Sequence, residues 1–551
     1  MRRTLVALAA TLELALAVDP LVNLGYTQYK GIALSNGVSQ WLGMRFAAPP
    51  TGDLRFGAPA DPPSNDTVQI ANTHGPLCFT TGAGYPQSGH SEDCLFLDIY
   101  APSNATTNSK LPVMFFIQGG GLNELANANY NGSQLIEAAD FDMIVVTHNY
   151  RVGTFGFLAS AEIQANGSIN NGILDQRKAM QWVQDNIEQF GGDPEHVVLS
   201  GDSAGAQSIT IHLTAYGGVH TDLFHGVIAE SQSFPPIFNV SGNQYMYDAL
   251  VERTGCNNDS DTLACLRALD IATLQNASIA IPYPGRKHGP NYLCGAVVDG
   301  DLIPDIPYSL FAQGRFVDVP SVFGDDTNEG TIFTPHDLNT TEEMNNFLLD
   351  NFPLLTGDDL STIDINYPVA DQFPQHGKCY FNAASAYGEI RYICPGIFVS
   401  DSLLQYNTHP VWNYHYNVTD PAELKKGLGV PHTIELSAIW GLNSTTGKPP
   451  ASYFTTNANI IPVMQGYWTS FVRTLDPNTL RASGTPEWTK YDNVHRILFE
   501  TNHTRMESIP DAQRQRCDFL ASIAPGQQQY TLLGTPDQYP LPSRTFPAYK
   551  Y

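Results

Sequence analysis

The stretch Phe190-Gly-Gly-Asp-Pro-Glu-His-Val-Val-Leu-Ser-Gly-Asp-Ser-Ala-Gly205 decides the fold of this chain. It predicts a short buried strand over Val197–Ser200, a tight turn with Ser203 at its apex, and a helix over Ala204–Leu213. Glycines on either side of the serine let the strand and the helix approach closely, which holds the serine hydroxyl exposed on a strained turn. We interpret Ser203 as a catalytic nucleophile, against the plainer alternative of a glycine-rich helix start.

Apolar runs alternate with helical periodicity on both sides of this stretch. Strands are predicted at Leu111–Ile117, Met143–Thr147 and Gly226–Ser231, and a helix is predicted from Ile173 to Phe190. This alternation is typical of an α/β protein whose mostly parallel sheet carries helices on both faces. Sites in such sheets lie at the carboxyl ends of the strands, where Ser203 falls.

A triple glycine, Gln118-Gly-Gly-Gly121, directly follows the first of these strands. Clustered glycines most often form a turn. Next to a catalytic serine they also allow backbone N–H groups to point at the oxyanion of a tetrahedral intermediate, where each donor contributes about 3 to 4 kcal/mol. The sequence therefore predicts an oxyanion hole in this loop.

A catalytic serine needs a base and an acid, which follow it in the chain order serine, acid, histidine in α/β-hydrolases. Asp325, Asp326 and Glu329 all follow a short apolar run and all qualify as the acid on chemical grounds. His432 lies in a later loop and is one of fifteen histidines from which the base could come. His415 lies inside a predicted strand, so we expect it to be packed or paired.

The elbow stretch resembles the serine signature of the type-B carboxylesterase/lipase family. Glu92-Asp-Cys-Leu-Phe-Leu-Asp-Ile-Tyr-Ala-Pro102 resembles the second signature of that family, and the similarity extends from about Gly25 to about Leu520. The resemblance implies an α/β-hydrolase fold with a large, mostly parallel central sheet flanked by helices. It selects Glu329 as the acid, so that the implied site consists of a catalytic triad, Ser203, Glu329 and His432, and of oxyanion-hole N–H groups from Gly120, Gly121 and Ala204.

The resemblance also assigns residues around the triad. It implies that Ser231 holds the acid by a hydrogen bond, although an ordinary buried serine is an equal alternative, and it places the carboxylates of Asp202 and Glu435 beside the site. Two scaffold ion pairs are implied, Arg55 with Glu92 and Arg151 with Asp175. The irregular region after the elbow is expected to form the pocket wall, with candidates in Pro282–His288 and in Asn291 and Tyr292.

Eight cysteines beside an apparent export signal favour disulfides over a metal site, and none of them forms a Cys-x-x-Cys pair. Composition alone does not fix the pairing. The family resemblance suggests two short loops, Cys78 with Cys94 and Cys256 with Cys265. It also suggests a long-range bridge of Cys394 with Cys517, for which Cys379 with Cys394 is the competing option.

The N-terminus combines a basic start, an apolar run and an Ala-x-Ala site, so residues 1–17 are predicted to be a secretory signal peptide, followed by one domain over 18–551. The formal net charge is −26, which argues against nucleic acid or an anionic membrane as partner. No stable membrane anchor is expected. N-linked glycans are expected at sequons, namely Asn65, Asn104, Asn131, Asn166, Asn239, Asn258, Asn276, Asn339, Asn417, Asn443 and Asn502.

The sequence thus predicts a secreted hydrolase of small-molecule carboxylic esters that needs no metal or cofactor. The loop between Cys78 and Cys94 is short, glycine-rich and polar, unlike the amphipathic lid of the related lipases, and it lacks the tryptophan of cholinesterases. We therefore expect short-chain or aryl esters as substrates. A triglyceride lipase, an acyltransferase or lactonising enzyme, and a non-catalytic adhesion module are the alternatives.

Overall fold

The computed structural model describes residues 20–370, 373 and 375–528, and the predicted signal peptide lies outside these ranges. Within these ranges, fourteen strands form two sheets. In chain order they are β1 Leu21–Asn23, β2 Gln28–Lys30, β3 Ile32–Ala33, β4 Val38–Arg45, β5 Val68–Ile70, β6 Phe96–Pro102, β7 Leu111–Ile117, β8 Ile144–His148, β9 Gly192–Asp202, β10 Gly226–Glu230, β11 Ser321–Asp326, β12 Val411–Tyr416, β13 His495–Phe499 and β14 Arg505–Ser508.

The helices cover both faces of the large sheet and fill its connections. They are α1 Ser133–Ala138, α2 Gly153–Phe157, α3 Ala161–Asn166, α4 Asn171–Asn186, α5 Ala204–Thr214, α6 Val240–Thr254, α7 Thr262–Ala268, α8 Ile271–Ala277, α9 Pro307–Ala312, α10 Thr341–Asn351, α11 Gly357–Asn366, α12 Tyr380–Gly388, α13 Cys394–Tyr406, α14 Pro421–Lys426, α15 Leu436–Trp440, α16 Ile460–Thr474 and α17 Asp511–Gln528. A π-helical turn, Glu389–Ile393, joins α12 to α13.

The large sheet has eleven strands in the order β14-β13-β12-β11-β10-β9-β7-β8-β6-β4-β3. Neighbouring strands pair in parallel from β8 across to β13, and the strands beyond them at both edges pair antiparallel. The predicted mostly parallel α/β sheet is confirmed. Strand β9, which carries the elbow, lies near its centre between β7 and β10.

The central strands are buried on both faces because helices cover both sides. In β7, Val113, Phe115 and Ile117 pack into one apolar cluster, whereas Met114 and Phe116 pack into a second cluster on the opposite face. This explains why the strand reads as a continuous apolar run and not as an alternating one. Within the described ranges, no helix has the length and apolarity needed to cross a bilayer.

Three disulfides connect the fold: Cys78–Cys94, Cys256–Cys265 and Cys394–Cys517. The first two close the short loops that the family resemblance suggested. The third joins the start of α13 to the last helix, α17, and excludes the competing pairing of Cys394 with Cys379. Cys379 and Cys294 are buried free thiols.

None of the asparagines in the predicted glycosylation sequons is buried. Asn131, Asn239 and Asn417 are half-buried and the rest are exposed. All three half-buried side chains already make structural hydrogen bonds: Asn131 accepts from the N–H of Ser133, Asn239 caps helix α6, and Asn417 donates to Glu500. The exposed sequons are therefore the better acceptors for a glycan.

Candidate active site

Ser203 occupies the sharp turn between β9 and α5. Its φ of 54° and ψ of −115° are strained for a residue with a side chain, and its N–H donates to the carbonyl oxygen of Glu230 at 2.9 Å, which pins the turn to β10. A Cβ on Gly205 would overlap the carbonyl oxygen of Ile117 at the end of β7. The glycine is thus needed for the close approach of helix and sheet that the sequence predicted.

Glu329 and His432 lie in the loops that follow β11 and β12. The two side chains are almost fully buried and form a short contact between Glu329 Oε2 and His432 Nδ1. The backbone N–H of Asp326 donates to Glu329 Oε1 at 2.8 Å. Both oxygens of the carboxylate are therefore held, and the carboxylate in turn fixes the imidazole with Nδ1 as the donor.

The other ring nitrogen of His432 points away from the glutamate. Nε2 is buried and has no hydrogen-bond partner among the described residues, so the contact expected from the Ser203 hydroxyl is not closed in this structure. Hydrogen bonds of this kind are often long in a free enzyme and shorten when substrate binds. The rings of Tyr392 and Phe333 pack on the imidazole, with centroids 4.3 and 5.1 Å from it, and restrict its rotation.

Asp325 and Asp326, the other two candidates for the acid, do not contact His432. Their carboxyl oxygens are buried. Those of Asp325 have no hydrogen-bond partner in the described part of the chain, whereas Asp326 lies within hydrogen-bonding reach of the Glu435 carboxyl and the Thr433 N–H. Burial, reinforced by the neighbouring carboxylates of Glu329 and Glu435, raises the pKa of both side chains well above the ordinary range. Both carboxyls are consequently suited to remain protonated, which a triad acid must not do.

Two further predicted carboxylates lie beside the site. Asp202 accepts a hydrogen bond from the N–H of Gly119 at 3.2 Å, and burial, together with the negative charge of Glu435, raises its pKa to about 8. Glu435 accepts a hydrogen bond from Tyr414 at 3.0 Å, and burial raises its pKa. They link the glycine loop and the histidine loop to the sheet.

The hydrogen bond expected from Ser231 to the triad acid is not formed. The Ser231 hydroxyl is buried without a partner among the residues described, while its N–H donates to the carbonyl oxygen of Gly324 at 2.8 Å. Glu329 takes its hydrogen bonds from Asp326 and His432 instead. Ser231 is therefore a buried serine in a turn and does not orient the acid.

The N–H groups of Gly120, Gly121 and Ala204 have no acceptor among the described residues. Gly120 and Gly121 adopt φ values of 114° and 62°, a region open mainly to glycine. The preceding amide, that of Gly119, is already bonded to Asn127 at 2.9 Å. Three unused donors thus surround the elbow, as an oxyanion hole requires.

A cleft opens beside Gly121. Four aromatic rings contribute to its walls, those of Phe238, Tyr245, Tyr283 and Tyr292. Tyr283 and Tyr292 belong to the region that the sequence predicted as the pocket wall. The cleft also includes Arg391, which the sequence analysis missed, because the π-helical turn that places it has no recognisable sequence pattern.

The strand, elbow and helix around Ser203, followed along the chain by a glutamate and then a histidine, are the arrangement of the α/β-hydrolase class. The profile of the carboxylesterase family matches residues 19–520. The chain belongs to the carboxylesterase family and is a carboxylic ester hydrolase.

Related proteins come from fungi. Secreted lipase 1 of Botryotinia fuckeliana (strain B05.10) is 32% identical over 518 residues, which cover 84% of this chain and 85% of the relative. Lipase 2 of Geotrichum candidum is 34% identical over 379 residues, covering 61% and 67% of the two chains. The crystal structure of Aspergillus niger EstA superimposes with a TM-score of 0.91 at 45% identity and covers 93% of this chain and 99% of its own.

Proposed function

We propose that the chain is a secreted serine esterase that acts through an acyl-enzyme, with Ser203 as nucleophile, His432 as base and Glu329 as acid. The observation that carries the proposal is the state of His432. Its Nδ1 is bonded to a buried carboxylate, and its Nε2 is buried and has no hydrogen-bond partner among the described residues. An imidazole held in this way is ready to accept a proton from a hydroxyl.

In the first half of the reaction, Ser203 Oγ attacks the ester carbonyl while His432 Nε2 takes the hydroxyl proton. The carbonyl oxygen becomes an oxyanion, and the free N–H groups of Gly120, Gly121 and Ala204 stabilise it. Glu329 stabilises the imidazolium without taking its proton. Collapse of the intermediate breaks the bond to the alcohol oxygen, which leaves with the proton from His432.

In the second half, water replaces the alcohol. His432 removes a proton from water, the resulting hydroxide attacks the acyl carbon, and the same N–H groups hold the oxyanion. The bond to Ser203 Oγ then breaks, the serine recovers its proton, and the carboxylic acid leaves. In both halves, the three N–H groups stabilise the oxyanion and Glu329 stabilises the imidazolium. The proposed reaction therefore uses only groups of this chain.

Soluble short-chain or aryl esters fit the loop between Cys78 and Cys94 better than emulsified fat. That loop consists of turns and irregular backbone without a helix. A lipase lid presents an apolar face to an oil surface, and a polar loop without a helical stripe offers no such face. The four aromatic rings in the cleft wall suit flat or compact acyl and alcohol groups.

Secretion and N-glycosylation are part of the proposal. The predicted leader at residues 1–17, the three disulfides and the exposed sequons agree with an oxidising, extracellular location. Secreted lipase 1 of Botryotinia fuckeliana carries secretion in its name. Purification from culture medium and treatment with an endoglycosidase, followed by mass measurement, tests both points.

The central test is hydrolysis of a short-chain chromogenic ester by the native protein and by Ser203→Ala. We expect the variant to lose activity by at least about 10³-fold, since the nucleophile is removed. Ser361→Ala on the exposed side of α11 serves as the matched control and should keep native activity. A Ser203→Ala protein that retains activity, or a native protein inactive on several simple esters, contradicts the proposal.

A further inference from the structure

Arg391 is the one deeply buried arginine, among the described residues, that lacks a carboxylate partner. Four arginine side chains are at most 5% exposed: Arg55, Arg151, Arg391 and Arg496. Arg55 donates to Glu92 at 2.8 Å, Arg151 to Asp175 at 2.7 Å and Arg496 to Glu507 at 2.8 Å. Arg391 takes part in none of the described ion pairs, and its Nε has no hydrogen-bond partner.

A buried guanidinium without a counter-charge destabilises the fold, because it loses its hydration and no carboxylate compensates for that loss. The neighbours described around Arg391 are tyrosines and not carboxylates. The guanidinium carbon of Arg391 lies 5.3 Å from the ring centre of Tyr292 and 5.7 Å from that of Tyr392. Such cation–π contacts are weaker than a carboxylate partner and do not use the N–H donors of the guanidinium.

The position of Arg391 connects it to the reaction centre. Arg391 and Tyr292 both line the cleft that includes Gly121, and a Cβ on Gly121 would overlap the Tyr292 ring. Tyr392, the next residue along the π-helical turn, packs on the His432 ring. π-Helical turns are rare and occur often at functional sites. This one places a cation in the cleft and an aromatic ring on the base.

A second unbonded polar group lines the same cleft. Gln207 lies one turn after Ser203 on α5, is 1% exposed, and has no partner for either its amide nitrogen or its amide oxygen among the described residues. The hydroxyl of Tyr387 near Arg391 is also buried and unbonded. The one acid lining the cleft, Asp350, is bonded to His288 at 3.0 Å.

We propose that the cleft binds esters carrying a carboxylate away from the scissile bond, with Arg391 as the counter-charge and Gln207 as a hydrogen-bond donor. Half-esters of dicarboxylic acids are the simplest substrates of this class. The ester carbonyl binds at the glycine loop, the connecting chain or ring lies along Tyr292, and the carboxylate receives the N–H groups of the guanidinium. A fork of parallel N–H donors matches a planar carboxylate. This inference rests on the proposed function, since it extends the substrate of the same site.

The test compares a half-ester with the corresponding neutral diester, for example monoethyl and diethyl adipate, with further pairs of shorter and longer spacers. The quantity measured is the ratio of kcat/KM for half-ester over diester. In Arg391→Met this ratio should fall about 10- to 100-fold, mainly through KM, as expected for loss of a charge-assisted hydrogen bond. Arg391→Lys should recover part of the ratio, and Gln207→Leu should lower it by a smaller factor.

An unchanged ratio in a folded Arg391→Met protein overturns the proposal, as does a native enzyme that hydrolyses diesters and rejects every half-ester. If the native enzyme hydrolyses neither kind of ester, the proposed function itself has failed. Should Arg391→Met not fold, competitive inhibition of diester hydrolysis by free adipate is measured with native protein and Arg391→Lys. Inhibition by adipate that is no stronger than by an equal concentration of chloride then overturns the proposal.

Discussion

Replacing Glu329 by glutamine separates the roles of the three acids that follow β11. In the native protein, Oε2 of Glu329 accepts from His432 Nδ1 and Oε1 accepts from the N–H of Asp326. In Glu329→Gln the amide nitrogen faces Nδ1–H, so two donors meet. The imidazole therefore adopts the other tautomer, with its proton on Nε2. This is the nitrogen that must accept the proton of Ser203.

The expected loss in kcat is about 10⁴-fold, the size typical when a triad acid becomes an amide and the histidine adopts the wrong tautomer. Folding should survive, because the amide oxygen still accepts from Asp326 and the side-chain volume is unchanged. The matched control is Asp325→Asn. Asp325 is equally buried, and its raised pKa already favours the neutral form, which asparagine imitates. We expect this variant to keep kcat within about fivefold of the native value.

The test measures kcat for a short-chain chromogenic ester with both variants. Melting temperatures are recorded alongside to check that the variants fold. A Glu329→Gln protein with more than about a tenth of native kcat refutes the assignment of the acid, since that loss is far smaller than a wrong tautomer causes. An equal loss in Asp325→Asn shows that the buried acids act together and that the contact between Glu329 and His432 alone does not explain catalysis.

Three further outcomes follow from the structure. The pKa of Asp202 is raised from 3.8 to about 8, so between pH 4 and 8 the native protein keeps this proton while the unfolded protein releases it. The stability of Asp202→Asn relative to the native sequence should therefore increase by about 1.4 kcal/mol per pH unit over this range. A difference in melting temperature that stays constant with pH contradicts this. Gly121→Ala forces a Cβ into the Tyr292 ring and places a side chain on a backbone with a φ of 62°. This should lower kcat about 10²- to 10³-fold with little change in fold. Activity near the native level would mean that the N–H of residue 121 does not bind the oxyanion. Cys394→Ser with Cys517→Ser opens a loop with a sequence separation of 123 and should cost about 4 to 5 kcal/mol, seen as a lower melting temperature; an unchanged melting temperature refutes it.

The regular part of the fold could be predicted from local patterns. The apolar run Leu111–Ile117 is strand β7 at the predicted bounds. A strand buried on both faces is apolar at every position, so the ends of the apolar run mark the ends of the strand. The predicted helix Ile173–Phe190 was too long at its end. Helix α4 stops at Asn186 and a 3-10 turn continues to Phe190, a change that involves no proline or glycine and leaves the periodicity unaltered.

The site was predictable where chemistry and chain order coincide, and not where long-range packing decides. Ser203 was recognisable from its glycines, whereas nothing local separates Asp325, Asp326 and Glu329. Only the distance to His432 does so in the structure. Arg391 was missed because it stands out only as a buried arginine without a carboxylate partner. Neither its burial nor the absence of that partner can be recognised from the sequence.

The bridge between Cys394 and Cys517 encloses the segment that contains His432. A protease that cuts the backbone once anywhere inside that segment leaves both pieces covalently joined. Such a nicked molecule migrates as one band on a denaturing gel without reductant and as two bands after reduction. Apparent integrity on a non-reducing gel therefore says nothing about whether the backbone around His432, the proposed base, is whole.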